Sequence, residues 1–519
     1  MTQIPTFQEA LDVARAEVSK LDLQGLAKAG IYQRPFEYYL MGTYPPIKAM
    51  YPVGVEEVFS NATGNYNIYV HLPFCEQFCS FCHFTKEINP KAERVTSYLD
   101  ALLTEIDLSH RKLDGRIKAH TVYFGGGTPS YLRPHELERL FTKLRSRLQI
   151  AEQTEISFEL HPGVIRHHDY EDRIKTIKEF GNNRWVFGVQ SMDNAVLKKL
   201  NRGHTDKEVY GLLEILRRNG CDNLSLDLIY GLPYQTLENW YATIISLLRA
   251  GVEKFNIFPL MFKASDPITL HYQKEPQIFP DGRTRLLMHF MMESILESQG
   301  FGRGPVLYYS KHQVHSSQQE SKFEKIADIN LLPFGVSGFG YIGHTQYFNI
   351  CDLTSYMRTT QSGRIPVWLG HTLSVEEQMR RTVMFSLRAN GVSRVEFKNR
   401  FGIDPADKFH GQFATLRRFN LIDETAEHIR LNKEGGLLAD GIGTLFASDE
   451  IRGRILETNT RIENPRRDLI EKHDFSPIGR LSSPPVKITP KWASEETGKN
   501  GKNWLEPVAA PNSIEGVLG

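Results

Sequence analysis

Three cysteines, Cys75, Cys79 and Cys82, fall within the stretch HLPFCEQFCSFCHF over 71–84, in a chain that has only five cysteines altogether. The CxxxCxxC spacing puts three thiolates on one loop. Three thiolates can hold three irons of a 4Fe-4S cluster and leave the fourth iron open to another ligand. A closed zinc site is the competing chemistry. It would want a fourth ligand, for which His71 and His83 are at hand. Zinc sites more often pair two CxxC-like units far apart, however, whereas these three cysteines are neighbours. Cys221 and Cys351 lack such company and are expected to be core residues.

Further along, residues of complementary chemistry recur at regular intervals. GGGTPS spans Gly125 to Ser130, and successive glycines let backbone groups close around a small polar ligand. Glu159 lies in ELHP, Gln190 in GVQS, Arg202 and His204 in LNRGH, and Asp227 in DLIYGLP. Each alone reads as a polar cap on the end of a sheet. Converging on one mouth, two carboxylates, an amide and a guanidinium could hold an amino-acid group and a ribose.

Something must bring them to one mouth. Between 66 and 299, short β-rich runs alternate six times with longer amphipathic ones. Strands are expected over 66–72, 119–125, 155–160, 184–189, 223–229 and 255–260, most of them nearly continuous apolar runs of the kind buried on both faces. Helices with apolar residues at spacings of three and four are expected within 94–113, 134–148, 206–220 and 284–300. This alternation is the pattern of an α/β fold, a parallel sheet curling into a partial (β/α)6 barrel with its chemistry at the carboxyl ends of the strands. The remaining divisions are a helical extension over 1–65, the barrel over 66–300, a barrel-completing region over 301–374, a winged-helix-like module over 375–445 and a flexible tail over 446–519, rich in Pro, Ser, Gly and Lys.

Charge names no partner. The 62 Lys and Arg against 61 Asp and Glu give a net charge of +1, so no broad basic field suggests nucleic acid or an anionic membrane. The few cations in the winged-helix-like module are interleaved with acids, and a lid over the barrel is the better reading. No run is long and apolar enough to span a bilayer, and the opening residues lack the apolar core of a signal peptide, so a reducing cytoplasm is expected.

Taken in order and spacing, HLPFCEQFCSFC, YFGGGTPS, ELHP, GVQS, LNRGH and DLIYGLPYQT resemble the radical S-adenosylmethionine (SAM) enzymes of the oxygen-independent coproporphyrinogen III oxidase family, over roughly 60–440. The resemblance implies that Cys75, Cys79 and Cys82 ligate a 4Fe-4S cluster whose open iron SAM chelates. One-electron cleavage of SAM then yields methionine and a 5′-deoxyadenosyl radical. It further implies that Tyr69, Gly126, Glu159 and Phe339 surround this SAM. Phe81, Gly127, Thr128, Gln190, Arg202, Asp227 and Met261 match positions around a second SAM. A planar small-molecule substrate and an electron donor such as flavodoxin or ferredoxin come with the family, nucleic acid does not, and a quinone substrate would add peripheral membrane contact.

Two positions bear on the reaction. The oxidases usually carry a cysteine two residues after the third, where this chain has Phe84, and the haem-chaperone branch usually has Asp where this chain has His83. These departures point to C-methylation of an unsaturated ring such as menaquinone. The alternatives are a coproporphyrinogen dehydrogenase, an enzyme that opens haem anaerobically, or a non-catalytic haem carrier. No catalytic residue is assigned: His83 and His204 are expected to be structural, and the aromatic Tyr308 and Tyr309 are expected to be core.

Overall fold

The apolar runs become parallel strands because helices cover both of their faces. In the computed structural model, which describes residues 3–32, 43–62, 64–262, 267–304, 308–311, 330–389 and 391–459, these strands are β1 (Asn65–Leu72), β2 (Lys118–Gly126), β3 (Gln149–Leu160), β4 (Arg184–Gln190), β5 (Leu224–Tyr230) and β6 (Lys254–Pro259). Each pairs in parallel with the next. The six-strand expectation holds, and a further parallel strand, β7 (Asn330–Phe334), adds itself on the free side of β1. Antiparallel strands β8 (Phe339–Ile342), β9 (Thr345–Asn349) and β10 (Val367–Thr372) continue from β7. Tyr51–Pro52 closes that edge, while Tyr308–Ser310 and Gly302–Arg303 extend the other, giving one sheet of 13 strands.

The helices pack by the expected periodicity. Leu137, Leu140, Phe141 and Leu144 form the buried stripe of the helix Pro134–Arg147. Phe141 stacks on Phe180 with centroids 4.2 Å apart, and Phe124 of β2 meets Phe158 of β3 at 5.3 Å. Such ring pairs add about 0.5–1.5 kcal/mol each beyond their burial. At the amino terminus, the helix Phe7–Ser19 begins with a Thr6/Glu9 capping box and lies against the helix Gly282–Ser298. No helix among the described residues is long and apolar enough to cross a membrane.

Residues 392–431 build a three-stranded sheet, ordered 392–393, 428–431, 422–424, with helices Arg394–Phe401 and His410–Arg418 over a core that includes Phe397, Phe413 and Ile429. Two of its cations are held in ion pairs, Arg394 with Asp404 and Glu424, and Arg417 with Glu424. Order runs past the expected start of the tail, because the helix Asp449–Asn459 buries Ile451. Residues 33–42 of the expected extension, and the tail from 460, lie outside the described residues.

One buried carboxylate joins the long helix Ala92–Lys112 to the turn after β7. Glu105 accepts from Gly335 N at 2.7 Å, Tyr356 Oη at 2.5 Å and Asn349 Nδ2 at 2.7 Å. Burial pushes its carboxyl up to about 7, against three hydrogen bonds that pull it down. The folded chain therefore holds this proton more tightly than the unfolded chain, whose Glu titrates near 4.5. The stability so contributed is complete below the unfolded value and is lost as pH rises through about 7. Between those limits Glu105→Gln is expected to lose less unfolding free energy with rising pH than the wild type, by at most about 1.4 kcal/mol per pH unit. Urea unfolding across that range measures it, and equal slopes would contradict it.

Candidate functional site

The cysteine loop leaves β1 and is pinned by main chain. Glu87 N donates to Pro73 O at 2.7 Å, Asn89 N to Cys75 O at 2.9 Å, Ser80 N to Leu200 O at 3.1 Å and Ile268 N to Ser80 O at 3.1 Å. Cys75 and Cys79 are buried and Cys82 is partly exposed. Two sulfurs have donors aimed at them, Thr128 Oγ1 on Cys75 Sγ and Arg202 Nη1 on Cys79 Sγ, each at 3.5 Å. Burial, aided by the neighbouring thiols of Cys82 and Cys79 and opposed by the Thr128 hydrogen bond, pushes the Cys75 thiol up to about 11.

The glycine turn follows β2 and lies against this loop. Gly127 N donates to Leu72 O and Thr128 N to Phe74 O, both at 2.8 Å. A Cβ on Gly127 would stand 2.8 Å from Pro73 C and 2.9 Å from Phe74 N and O, so only glycine fits. Gly126 has φ +115°, and a Cβ there would strike the His71 ring at 2.7 Å.

Strand register explains how the polar residues meet. Tyr69 pairs with Tyr123, and their rings stack at 6.2 Å; Phe339 of β8 stands 6.3 Å from Tyr69. Tyr123 Oη donates to Glu159 Oε1 at 2.7 Å. Asp227 pairs with Asn256 one strand away, and Asn256 Nδ2 donates to Asp227 Oδ1 at 2.5 Å. Between β4 and β5 the register shifts at Gly188/Gln190, and Gln190 takes φ +67°, a bulge that re-aims its side chain. Arg202 Nη2 donates to Gly188 O at 2.7 Å, which sets its guanidinium beside Gln190 and Cys79. Phe81 packs on a small apolar cluster that includes Leu260 and Phe262, and Met261, between those two in sequence, is partly buried at the end of β6.

The site is electrostatically frustrated. Burial raises Glu159 to about 7, with the like charge of Asp227 adding to it, and burial raises Asp227 to about 6. Among the described residues Arg202 Nε and Asn256 Oδ1 are buried without a hydrogen-bond partner. Carboxylates short of positive charge, beside orphaned donors and acceptors, suit a ligand carrying ammonium, sulfonium, carboxylate and hydroxyl groups together. That is the chemistry of SAM, and the site fits it.

Zinc fits less well. Both ring nitrogens of His71 are engaged, Nδ1 with Tyr69 Oη at 3.1 Å and Nε2 with Thr85 O at 3.0 Å. His83 stacks on Phe84 at 4.7 Å. Among the described residues no group of three or more His, Cys, Asp and Glu converges as the ligands of one ion do. His204 is buried edge-on to His161 and pushed down to about 3, by burial first and then by Arg202, so it is neutral at ordinary pH. Tyr308 and Tyr309 are buried, as expected of core. Sequence reasoning missed Tyr123 and Asn256; the signal for Asn256 was one polar residue inside the apolar run FNIFPL. A cleft of about 660 Å3 lies outside the mouth, between Glu76 and Gln77 of the loop and Tyr131, Arg133 and His167.

Residues 69–246 match the radical SAM superfamily and residues 373–438 the HemN C-terminal domain. The chain is 28% identical over 386 residues to heme chaperone HemW of Bacillus subtilis (strain 168), covering 73% of this chain and 99% of that one. It is 27% identical over 414 residues to oxygen-independent coproporphyrinogen III oxidase of Escherichia coli (strain K12), covering 75% and 88%. The solved structure of coproporphyrinogen III oxidase (HemN) from Escherichia coli superposes with a TM-score of 0.69 at 24% identity, covering 80% of this chain and 99% of that one, a likeness of fold.

Gly127→Ala is expected to push the cysteine loop away and cost about 1–3 kcal/mol. Iron and sulfide per chain after anaerobic reconstitution should fall with it, as they should for Cys75→Ala, Cys79→Ala and Cys82→Ala. Undiminished iron in any cysteine variant would remove that residue from the ligand set.

Proposed function

Because the chain is a radical SAM protein of the HemN-like kind, with a 4Fe-4S cluster and SAM as its cofactors, we propose that it is an oxidoreductase acting on a coproporphyrinogen-like tetrapyrrole. The observation that carries this is the pairing of a complete SAM-suited mouth with relatives named as coproporphyrinogen III oxidases over most of their length. When bound, the cluster and SAM supply a carbon-centred radical by one-electron cleavage of SAM. Cys75, Cys79 and Cys82 would hold the cluster, with Thr128 donating to the Cys75 sulfur and Arg202 to the Cys79 sulfur. Tyr69, Gly126, Glu159 and Phe339 would enclose a SAM bound there. Phe81, Gly127, Thr128, Gln190, Arg202, Asp227 and Met261 offer room for a second. Tyr123 fixes Glu159 and Asn256 fixes Asp227, so neither carboxylate must reorganise as charge moves. The aromatic wall of Tyr69, Tyr123 and Phe339 keeps water from a reactive radical.

In such a reaction a propionate side chain, –CH2–CH2–COO−, gives a hydrogen atom to the radical and one electron to an acceptor. It then loses carbon dioxide and becomes –CH=CH2. A reduced carrier such as flavodoxin or ferredoxin would supply the electron that cleaves SAM, and a reducing cytoplasm suits five free cysteines.

This replaces methyl transfer to menaquinone as the leading reading. Phe84 was the argument for that branch, and its side chain is 47% exposed, stacked on His83 on the outside of the loop. A residue facing solvent there says little about chemistry inside the mouth. The relatives reported above carry oxidase and haem-chaperone names. Likeness along nearly the whole of a haem chaperone favours a second reading, haem binding without turnover.

Anaerobically reconstituted, reduced protein with methyl-labelled SAM and coproporphyrinogen III separates these. Vinyl product, carbon dioxide and 5′-deoxyadenosine are expected. Label in the tetrapyrrole or in added menaquinone would restore methyl transfer, and tight haem binding with SAM left intact would favour the carrier.

A further inference from the structure

Arg285 lies in the first turns of the helix Gly282–Ser298, at the rim where β5 and β6 end. Its Nη2 donates to Leu260 O at 2.6 Å, just beyond β6. Its side chain runs across Gly231, just beyond β5, where a Cβ would come 2.8 Å from Nε. The guanidinium is 5.8 Å from the centre of the Phe262 ring. The ionisable groups acting on it are the phenols of Tyr230, Tyr32 and Tyr272, all raised above their ordinary value by burial and so neutral at ordinary pH. Among the described residues no carboxylate pairs with it. The nearest acid in sequence, Asp281, caps the helix through Thr284 N at 2.7 Å.

Three buried arginines elsewhere have partners of their own. Arg173 is paired with Asp169 at 2.9 Å and Arg388 with Asp440. Arg381 has no acid, but it is held between the rings of Tyr341 and Phe385 at 4.0 and 4.4 Å and donates to Tyr44 O at 2.9 Å. Among the described residues Arg285 keeps one hydrogen bond and one distant ring, which leaves most of its five N–H donors without an acceptor. The residue is partly exposed, so those donors are open to a ligand, and a planar fork of donors matches a carboxylate. It stands one residue from Met261, at the same end of the sheet as Asp227, so its ligand would lie within the reaction mouth.

We propose that Arg285 anchors a carboxylate group of the substrate at the β5–β6 rim, orienting the ring system over the mouth. The identification of that carboxylate as a tetrapyrrole propionate rests on the function proposed above. Arg285 is thereby a substrate-binding residue, distinct from Arg202, which faces Cys79.

The test uses the full-length reconstituted protein and Arg285→Gln, with Arg285→Lys as the conservative variant. Fluorescence titration of coproporphyrin III should show affinity lower by about tenfold or more in Arg285→Gln and partly recovered in Arg285→Lys. The tetramethyl ester, which lacks the charges, should bind all three alike, and SAM affinity should not change. Equal affinity of wild type and Arg285→Gln for coproporphyrin III overturns the proposal. So does a loss confined to SAM, which would assign the carboxylate to the cofactor. If the wild type binds no porphyrin, the tetrapyrrole reading fails. Sodium propionate against sodium chloride at equal ionic strength then decides the anchor alone: thermal stabilisation of the wild type but not of Arg285→Gln keeps it, and equal stabilisation removes it.

Discussion

The thiols stand where they do because main-chain hydrogen bonds reach their loop from several distant segments. Glu87 and Asn89 hold its base, Leu200 and Ile268 its crown, and Thr128 its inner side. Backbone bonds do not depend on rotamers, so a loop tied this way can present three side chains with little reorganisation. Everything else at the mouth is referred to it. The glycine turn can approach only because Gly127 has no Cβ, and Arg202 is drawn in between Gly188 O and the Cys79 sulfur.

Around that fixed loop the protein stores unpaid electrostatic cost. Glu159 and Asp227 hold their protons to higher pH than ordinary carboxylates, and among the described residues Arg202 and Asn256 keep buried atoms without partners and no acid pairs with Arg285. A core built for stability alone would not be left this way. Contrast Glu105, equally buried, whose three donors come from the turn after β7 and from the segments that follow it. The first set makes sense as half of an interaction and the second as a whole one.

Much of this was legible in the sequence. The six strands announced themselves because strands covered on both faces must be apolar throughout, and the turn glycines and cysteines carry their spacing openly. β7 was harder: NLLPF is short and no helical repeat flags it, so only its pairing with β1 reveals that it is parallel. Phe84 misled because two residues of sequence separation from a ligand say nothing of which way a side chain faces. Asn256 and Tyr123 gain their roles from register, which exists only between strands. Arg285 could not be told from Arg283 by inspection, since only the fold leaves Arg283 exposed and ties Arg285 to Leu260 O.

The turn after β7 has a consequence for how the molecule comes to be. The side chain of Thr85, just past the cysteines, meets Ser337, 252 residues later, and Glu105 meets Gly335, 230 residues later. Loops so long close late, after most of the chain has been made. Until then β1 is an open sheet edge, and the three thiols lie beside an unfinished wall. A nascent chain therefore passes through a period in which its most oxidisable atoms are its least protected, and the metal centre can be sealed only once the second half of the protein has arrived.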